Sequence, residues 1–115
     1  MVLAVIGSRG CSVENMEEYF PSDVTEIVSG GAKGVDSCAR AYAISRGIPI
    51  SEFYPDYRRY GRGAPLKRNL QILERADAVL AFWDGSSRGT KFVIDRCTAR
   101  GIPLTVIRLE RKRGK

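Results

Sequence analysis

The sequence has no histidine, and its three cysteines, at positions 11, 38 and 97, show no CxxC spacing. The absence of histidine excludes Ser-His-Asp and Cys-His catalysis and removes the commonest metal ligand, so we expect no metal site. An odd number of scattered cysteines is typical of a reducing cytoplasm rather than of a disulfide framework. No apolar run approaches the ~20 residues of a membrane helix, and no signal peptide is visible. We therefore expect a cytoplasmic protein with no membrane partner.

Acidic residues are scarce in one internal segment and in the tail. The 115 residues carry 19 basic and 13 acidic side chains, a net charge of +6. Residues 1–57 have four basic and eight acidic groups, whereas residues 58–68 have five basic groups and no acid. The tail 108–115 is also basic, as frayed and solvated chain ends often are. The length suits a single domain spanning residues 1–115.

The hydrophobic pattern predicts a parallel α/β sandwich. Short apolar runs bounded by Gly, Pro, Ser or Asp predict strands buried on both faces, at Val2–Ile6, Glu26–Ser29, Pro49–Phe53, Ala78–Phe82 and Leu104–Ile107. Stretches with helical spacing separate them. The apolar stripes are expected at Val13/Met16/Phe20, Val35/Cys38/Ala39/Tyr42/Ala43, Leu66/Leu70/Leu73 and Val93/Ile94/Cys97. This alternation predicts three layers, with a five-stranded parallel sheet between helices.

Glycine-rich turns follow three of the predicted strands. Gly7-Ser8-Arg9-Gly10 follows the first strand, residues 29–36 follow the second, and residues 84–90 follow the fourth. Such turns lead into helix N-termini, where free backbone N–H groups favour an anion. All three turns border one crevice only if the strand order is 3-2-1-4-5, so the loop chemistry favours that order. Neither a GxGxxG fingerprint after the first strand nor a GxxxxGK[ST] loop is present, and we expect no dinucleotide cofactor.

The four motifs Gly7-Ser8-Arg9, Ser29-Gly30-Gly31-Ala32-x-Gly34-x-Asp36, Arg68-Asn69 and Asp84-Gly85-Ser86-x-x-Gly89-Thr90 together resemble the SLOG superfamily. That group joins the DNA-processing protein DprA (Smf), the "lonely guy" phosphoribohydrolases and the YpsA/YspA-related proteins, and the chain is most similar to the last branch. The resemblance runs from Val2 to Ile107. It implies a Rossmann-like domain that binds a nucleotide or a nucleotide-derived ligand. The implied ligand-binding residues are Gly7, Ser8, Arg9, Gly30, Gly31, Ala32, Gly34, Arg68, Asn69, Gly85, Ser86, Gly89 and Thr90.

The chain departs from the phosphoribohydrolase signature PGGxGTxxE at two positions. Asp84 replaces the proline, and Val93 stands in place of the glutamate that serves the hydrolytic site. Three functions stay open: a nucleotide sensor, a weak N-glycosidic hydrolase with Asp36 or Asp84 as catalytic carboxylate, and a DprA-like module for single-stranded nucleic acid. Formation of homo-oligomers also stays open.

Several of these residues have a structural alternative. Asp36 would either hold ribose hydroxyls, act as a base, or stabilise the helix dipole. Asn69 falls on or beside an apolar stripe, where its amide must find partners, either the loops or the ligand. Ser86 and Thr90 would bind phosphate oxygens or cap a helix.

The basic segment from Tyr57 to Arg68 follows the third strand and so emerges at the same edge as the glycine loops. Its Gly61, Gly63 and Pro65 predict an irregular loop. As a lid, this loop would place Arg58, Arg59 or Arg62 on a small anion. As a nucleic-acid surface, it would contact several phosphates. The acidic first half of the chain favours the lid, because it supplies no extended positive groove.

Overall fold

The computed structural model describes residues 1–8, 10, 12–31 and 34–109, and in these residues five strands alternate with four α-helices. The strands are β1 (Val2–Gly7), β2 (Glu26–Ser29), β3 (Ile50–Glu52), β4 (Ala78–Trp83) and β5 (Leu104–Arg108). The helices are α1 (Val35–Arg46), α2 (Tyr57–Tyr60), α3 (Ala64–Arg75) and α4 (Arg88–Arg100). Two short 3-10 turns lie at Met16–Tyr19 and Gly61–Gly63.

The sheet is parallel throughout, with the order β3-β2-β1-β4-β5. The prediction from the loop chemistry is thereby confirmed, and the fold is a Rossmann-like α/β domain. In the central register, Leu3 of β1 pairs with Ile27 of β2 and with Ala78 of β4. The strand order reverses between β1 and β4, so a crevice forms at the carboxyl ends of these strands.

Alternate residues of β1 supply two separate cores. Leu3 and Val5 pack into a cluster with α1, whereas Ala4 and Ile6 pack into a cluster with α3 and α4. The central strands are therefore buried on both faces, as their unbroken apolar runs predict. Cys97 belongs to the second cluster, and burial raises the pKa of its thiol. Cys38 is half-buried beside the first cluster.

The first predicted helix is wrong: residues after Ser12 form only the 3-10 turn Met16–Tyr19. Asn15 precedes this turn with a left-handed backbone (φ 47°), which prevents a helix from running through it from Ser12. Phe20 is extended (φ −86°, ψ 133°), the conformation that a following proline imposes. Pro21 therefore ends the turn after four residues.

The irregular loop predicted for the basic segment is also wrong. Asp56 caps a short helix, since its Oδ1 accepts a hydrogen bond from the Arg59 backbone N at 3.2 Å. Helix α2 and the 3-10 turn Gly61–Gly63 then lead directly into α3. A side-chain cap at the helix start satisfies amides that a loop would leave to water.

The buried stripe of α3 differs from the one expected. Leu66 is 44% exposed, whereas Asn69, Ile72 and Leu73 are buried. The buried positions of this helix are Ala64, Asn69, Ile72 and Leu73, and Pro65 and Arg68 are half-buried. The burial of Asn69 agrees with its expected place on or beside the apolar stripe, whereas apolar periodicity gives no signal for the half-buried Arg68.

Helices α1 and α4 each end at a glycine that a proline follows two residues later. Gly47 and Gly101 both adopt left-handed backbones, with φ of 68° and 69°, and close the helices before Pro49 and Pro103. In the described part of the chain, no helix combines the length and the hydropathy needed to cross a membrane.

Candidate functional site

A cavity of about 350 Å³ lies at the carboxyl edge of the sheet, where the strand order reverses. The last residue of β1, the turn after β2 and the beginning of α4 all reach it. Its lining consists of Val5, Ile6, Gly7, Gly30, Asp36, Tyr57, Pro65, Leu66, Arg68, Asn69, Ile72, Ser87, Gly89 and Thr90. The lining thus combines glycine backbone, polar side chains and apolar side chains.

The structure brings seven of the eighteen predicted site residues together around this cavity. These are Gly7, Gly30, Asp36, Arg68, Asn69, Gly89 and Thr90. They come from four segments of the chain, which meet only because β2, β1 and β4 are neighbours. Gly7 has a packing role as well, because a Cβ at this position would collide with the Val35 side chain of α1.

The other described candidates lie outside the lining. Ser8, Gly31, Gly34, Asp84, Gly85 and Ser86 shape the loops around the cavity. Gly31 has a φ of +66° and lies under the Tyr54 ring, so a side chain there would be strained and would collide. The predictions for Arg9 and Ala32 fall outside the described residues, as do Cys11 and most of the basic tail.

The three lid candidates, Arg58, Arg59 and Arg62, are exposed and do not line the cavity. The Arg59 guanidinium lies 5.4 Å from the centre of the Tyr60 ring, and the Lys67 ammonium lies 5.5 Å from the same centre. From this segment, Tyr57 reaches the cavity with a side chain that is 58% exposed. The arrangement therefore offers an aromatic edge to the cavity and a basic outer surface to solvent.

Arg68 connects three parts of the site. Its Nη1 donates to the carbonyl oxygens of Gly30 at 2.9 Å and Phe53 at 3.2 Å, and its Nε donates to Asn69 Oδ1 at 2.9 Å. These bonds join α3 to the chain segments that leave β2 and β3. A planar guanidinium holds such a geometry better than a flexible ammonium does. Asn69 was expected to contact either the loops or the ligand. It is 7% exposed, accepts the hydrogen bond from Arg68 and also lines the cavity.

Gly30 is the point where Arg68 and Asp36 approach each other. A Cβ at Gly30 would collide with Arg68 Nη1 and would lie 3.0 Å from Asp36 Oδ2. Asp36 is 6% exposed, in the first turn of α1, where the helix dipole favours a carboxylate. The missing side chain at Gly30 thus allows a buried anion and a cation to share one corner of the cavity.

The loop between β4 and α4 is held by hydrogen bonds on several sides. Asp84 Oδ1 accepts from the backbone N of Ser86 at 2.9 Å and of Ser87 at 2.8 Å. The Asp84 N donates to Ser8 Oγ at 3.3 Å, and Trp83 Nε1 donates to the Ser87 carbonyl oxygen at 3.1 Å. Asp84 therefore shapes this loop, and it is not among the residues that line the cavity.

Ser87 and Thr90 form the polar end of the cavity at the start of α4. Their hydroxyl oxygens are 3.3 Å apart, and Thr90 is 3% exposed. Ser87 was not among the predicted site residues, although its position just before α4 is a signal for a polar group at a helix N-terminus. The apolar lining residues Val5, Ile6, Pro65, Leu66 and Ile72 were not among the predicted site residues, because apolar residues in strands and helices are typical of a core.

Comparisons with protein-family models, with curated proteins and with solved structures found no match. The SLOG resemblance of the loop motifs stays a prediction from the sequence. The described residues contain no group of three His, Cys, Asp or Glu side chains that could hold a metal ion.

Proposed function

We propose that the protein binds a nucleotide or a nucleotide-derived ligand in the cavity at the carboxyl edge of the sheet. The observation that carries this proposal is the composition of the cavity wall: a helix N-terminus with two hydroxyls, a polar corner and an apolar, aromatic side. A nucleotide has three matching parts: an anionic phosphate, a hydroxyl-bearing sugar and a flat aromatic base. The position at the reversal of strand order is where open α/β sheets bind ligands. The SLOG resemblance of the loops supports the same class of ligand.

The start of α4 suits the phosphate. The first amides of a helix have no intrahelical partner and carry the positive end of its dipole. Ser87 and Thr90 add hydroxyl donors, and a Cβ at Gly89 would meet no protein atom within 4 Å, so the backbone there is open to a ligand. Phosphate oxygens approach such an open backbone closely.

Tyr57, Leu66 and Pro65 suit the base. Tyr57 and Leu66 are 58% and 44% exposed although both line the cavity, so each offers an uncovered apolar surface. Stacking of a base on an aromatic ring contributes roughly 1–3 kcal/mol. The cavity volume of about 350 Å³ is near the lower end of ligand pockets, which favours a mononucleotide over a dinucleotide.

Calorimetry with nucleoside 5′-monophosphates, the matching nucleosides and inorganic phosphate tests the proposal. We expect the monophosphates to bind more tightly than either part alone. Tyr57→Ala should weaken nucleotide binding about tenfold or more while leaving phosphate binding unchanged. Tyr54→Ala is the matched control, because Tyr54 is equally exposed (61%) and does not line the cavity. Absence of nucleotide binding to the unaltered protein would refute the proposal.

A weak N-glycosidic hydrolase is the catalytic form of this proposal. Asp36 is the carboxylate among the described lining residues, and Asp84 shapes the adjacent loop instead. Val93, at the position of the glutamate in the phosphoribohydrolase signature, is fully buried in the core. We therefore expect little free base from nucleoside monophosphates. Chromatography of the products checks this, and turnover at ~1–10³ s⁻¹ would contradict it.

The outer face of α2 favours a second candidate, the binding of single-stranded nucleic acid. This surface carries the exposed cations Arg58 and Arg59 of α2, Arg62 of the following 3-10 turn and Lys67 of α3, and Arg59 and Lys67 lie against the Tyr60 ring. Binding through Z phosphates should give a log–log salt slope near −0.7Z, whereas a mononucleotide cavity gives a shallow one. Fluorescence anisotropy of a single-stranded oligonucleotide, measured across a salt series, distinguishes these two modes of binding. Tight, steep binding that the triple variant Arg58/Arg59/Arg62→Ala loses would establish the second function.

A further inference from the structure

Asp36 is a buried carboxylate on the cavity wall. It is 6% exposed, it belongs to the first turn of α1, and it lines the cavity. An ionised carboxylate only accepts hydrogen bonds, and its two oxygens offer about four acceptor positions, so it can bind a ligand in addition to its protein contacts. A ligand group beside Asp36 must therefore donate hydrogen bonds.

The charged groups around Gly30 restrict the chemical class of a ligand group that donates hydrogen bonds to Asp36. Arg68 Nη1 and Asp36 Oδ2 both lie against the position that a Cβ of Gly30 would occupy, so a guanidinium and a carboxylate share this corner. The positive charge of Arg68 disfavours a second cation there, and the negative charge of Asp36 disfavours a phosphate. A neutral donor, such as a hydroxyl group, satisfies both conditions.

The remaining parts of the cavity leave one such group in a nucleotide. In the proposed function, the phosphate binds at the start of α4 and the base binds against Tyr57 and Leu66, which line the cavity. The sugar is the neutral, hydroxyl-bearing part, and a carboxylate on ribose hydroxyls is an established form of recognition in α/β folds. We infer that Asp36 accepts hydrogen bonds from the 2′ and 3′ hydroxyls of a ribose, so that the cavity selects ribonucleotides over deoxyribonucleotides. The inference rests on the proposed nucleotide binding.

A thermodynamic cycle tests the inference. One nucleoside 5′-monophosphate and its 2′-deoxy, 3′-deoxy and 2′,3′-dideoxy analogues are titrated into the protein and into Asp36→Asn. Because hydrogen bonds to a charged group are the strong ones, the dideoxy analogue should bind the unaltered protein about ten- to a hundredfold more weakly. In Asp36→Asn this ratio should fall towards one, since the cycle isolates the coupling between the carboxylate and the hydroxyls.

Asp95→Asn is the matched control, because Asp95 is an exposed carboxylate on α4 that pairs with Lys91 and does not line the cavity. It should keep the full preference for ribose. Equal affinity of the unaltered protein for all four nucleotides would overturn the inference and leave nucleotide binding intact. A preference that persists in Asp36→Asn would also overturn it. Absence of binding by every nucleotide would instead refute the proposed function. If Asp36→Asn does not fold, the affinities of the unaltered protein for the ribonucleotide and its deoxy analogues still test the inference.

Discussion

Arg68 Nη1 donates a hydrogen bond to the carbonyl oxygen of Gly30 at 2.9 Å, across 38 residues of sequence. The same nitrogen also donates to Phe53, so one guanidinium group holds the ends of two neighbouring strands, β2 and β3. The turn after β2 is therefore held by α3 and not only by its own glycines. This relationship determines the shape of the cavity corner that contains Asp36.

Removal of the Arg68 side chain should destabilise the protein. Arg68→Ala leaves the partly buried carbonyl groups of Gly30 and Phe53 without this donor, which we expect to cost about 1–3 kcal/mol of the free energy of unfolding. Arg68→Lys should lower the free energy of unfolding by less than Arg68→Ala does. Urea denaturation measures both variants, with the exposed Arg62→Ala as a control expected to stay within about 0.5 kcal/mol. Equal stability of Arg68→Ala and Arg62→Ala would show that Arg68 does not hold the turn.

A methyl group at Gly89 should weaken ligand binding without harming the fold. Cβ atoms at Gly89 and Gly63 would meet no protein atom within 4 Å, and neither glycine has a left-handed backbone, so alanine at either position should stabilise by at most about 1 kcal/mol. Gly89 lines the cavity and Gly63 does not. Calorimetry with a nucleoside monophosphate should therefore show weaker binding for Gly89→Ala alone. Unchanged affinity in both variants would place the phosphate away from the start of α4.

Asp84 should act on the loop rather than on the reaction. Asp84→Ala loses the acceptor for two backbone amides and should destabilise by about 0.5–2 kcal/mol, as loss of a helix cap does. Asp84→Asn keeps an acceptor oxygen, so thermal unfolding should show a smaller loss of stability than for Asp84→Ala. A folded Asp84→Asn variant that binds nucleotide normally but releases no base, where the unaltered protein releases some, would restore Asp84 as a catalytic residue.

The ion pair of Glu26 with Arg75 should make stability depend on pH. Arg75 Nη2 lies 2.6 Å from Glu26 Oε1, and this hydrogen bond lowers the pKa of Glu26 below its ordinary value of 4.5. A lowered pKa in the folded state gives stability that is present above the ordinary pKa and is lost as the pH falls through the folded value.

Glu26→Gln should therefore be less stable than the unaltered protein near neutral pH and equally stable well below pH 4.5. Urea denaturation at a series of pH values measures the difference, with the exposed Glu74→Gln as the control. A difference that stays constant with pH would mean that the charge of Glu26 does not contribute.

The sequence by itself determined the architecture. Apolar runs predicted strands at all five positions, and Gly47 and Gly101 end α1 and α4, because these signals act over a few neighbouring residues. The strand order followed from three glycine loops that share one edge. Where a local signal was overlooked, as with Asn15 and Pro21 or with the Asp56 cap, the predicted element was wrong.

Only the tertiary structure decided which polar residues face the cavity. Arg68 and Asn69 lie on the buried side of α3, whereas Asp84 serves its own loop and Arg58, Arg59 and Arg62 point their charge to the surface. Each outcome depends on how a helix rotates and how loops pack against segments distant in sequence. Burial of a polar group is stable when such distant partners satisfy it, and a linear pattern of residue types does not contain those partners.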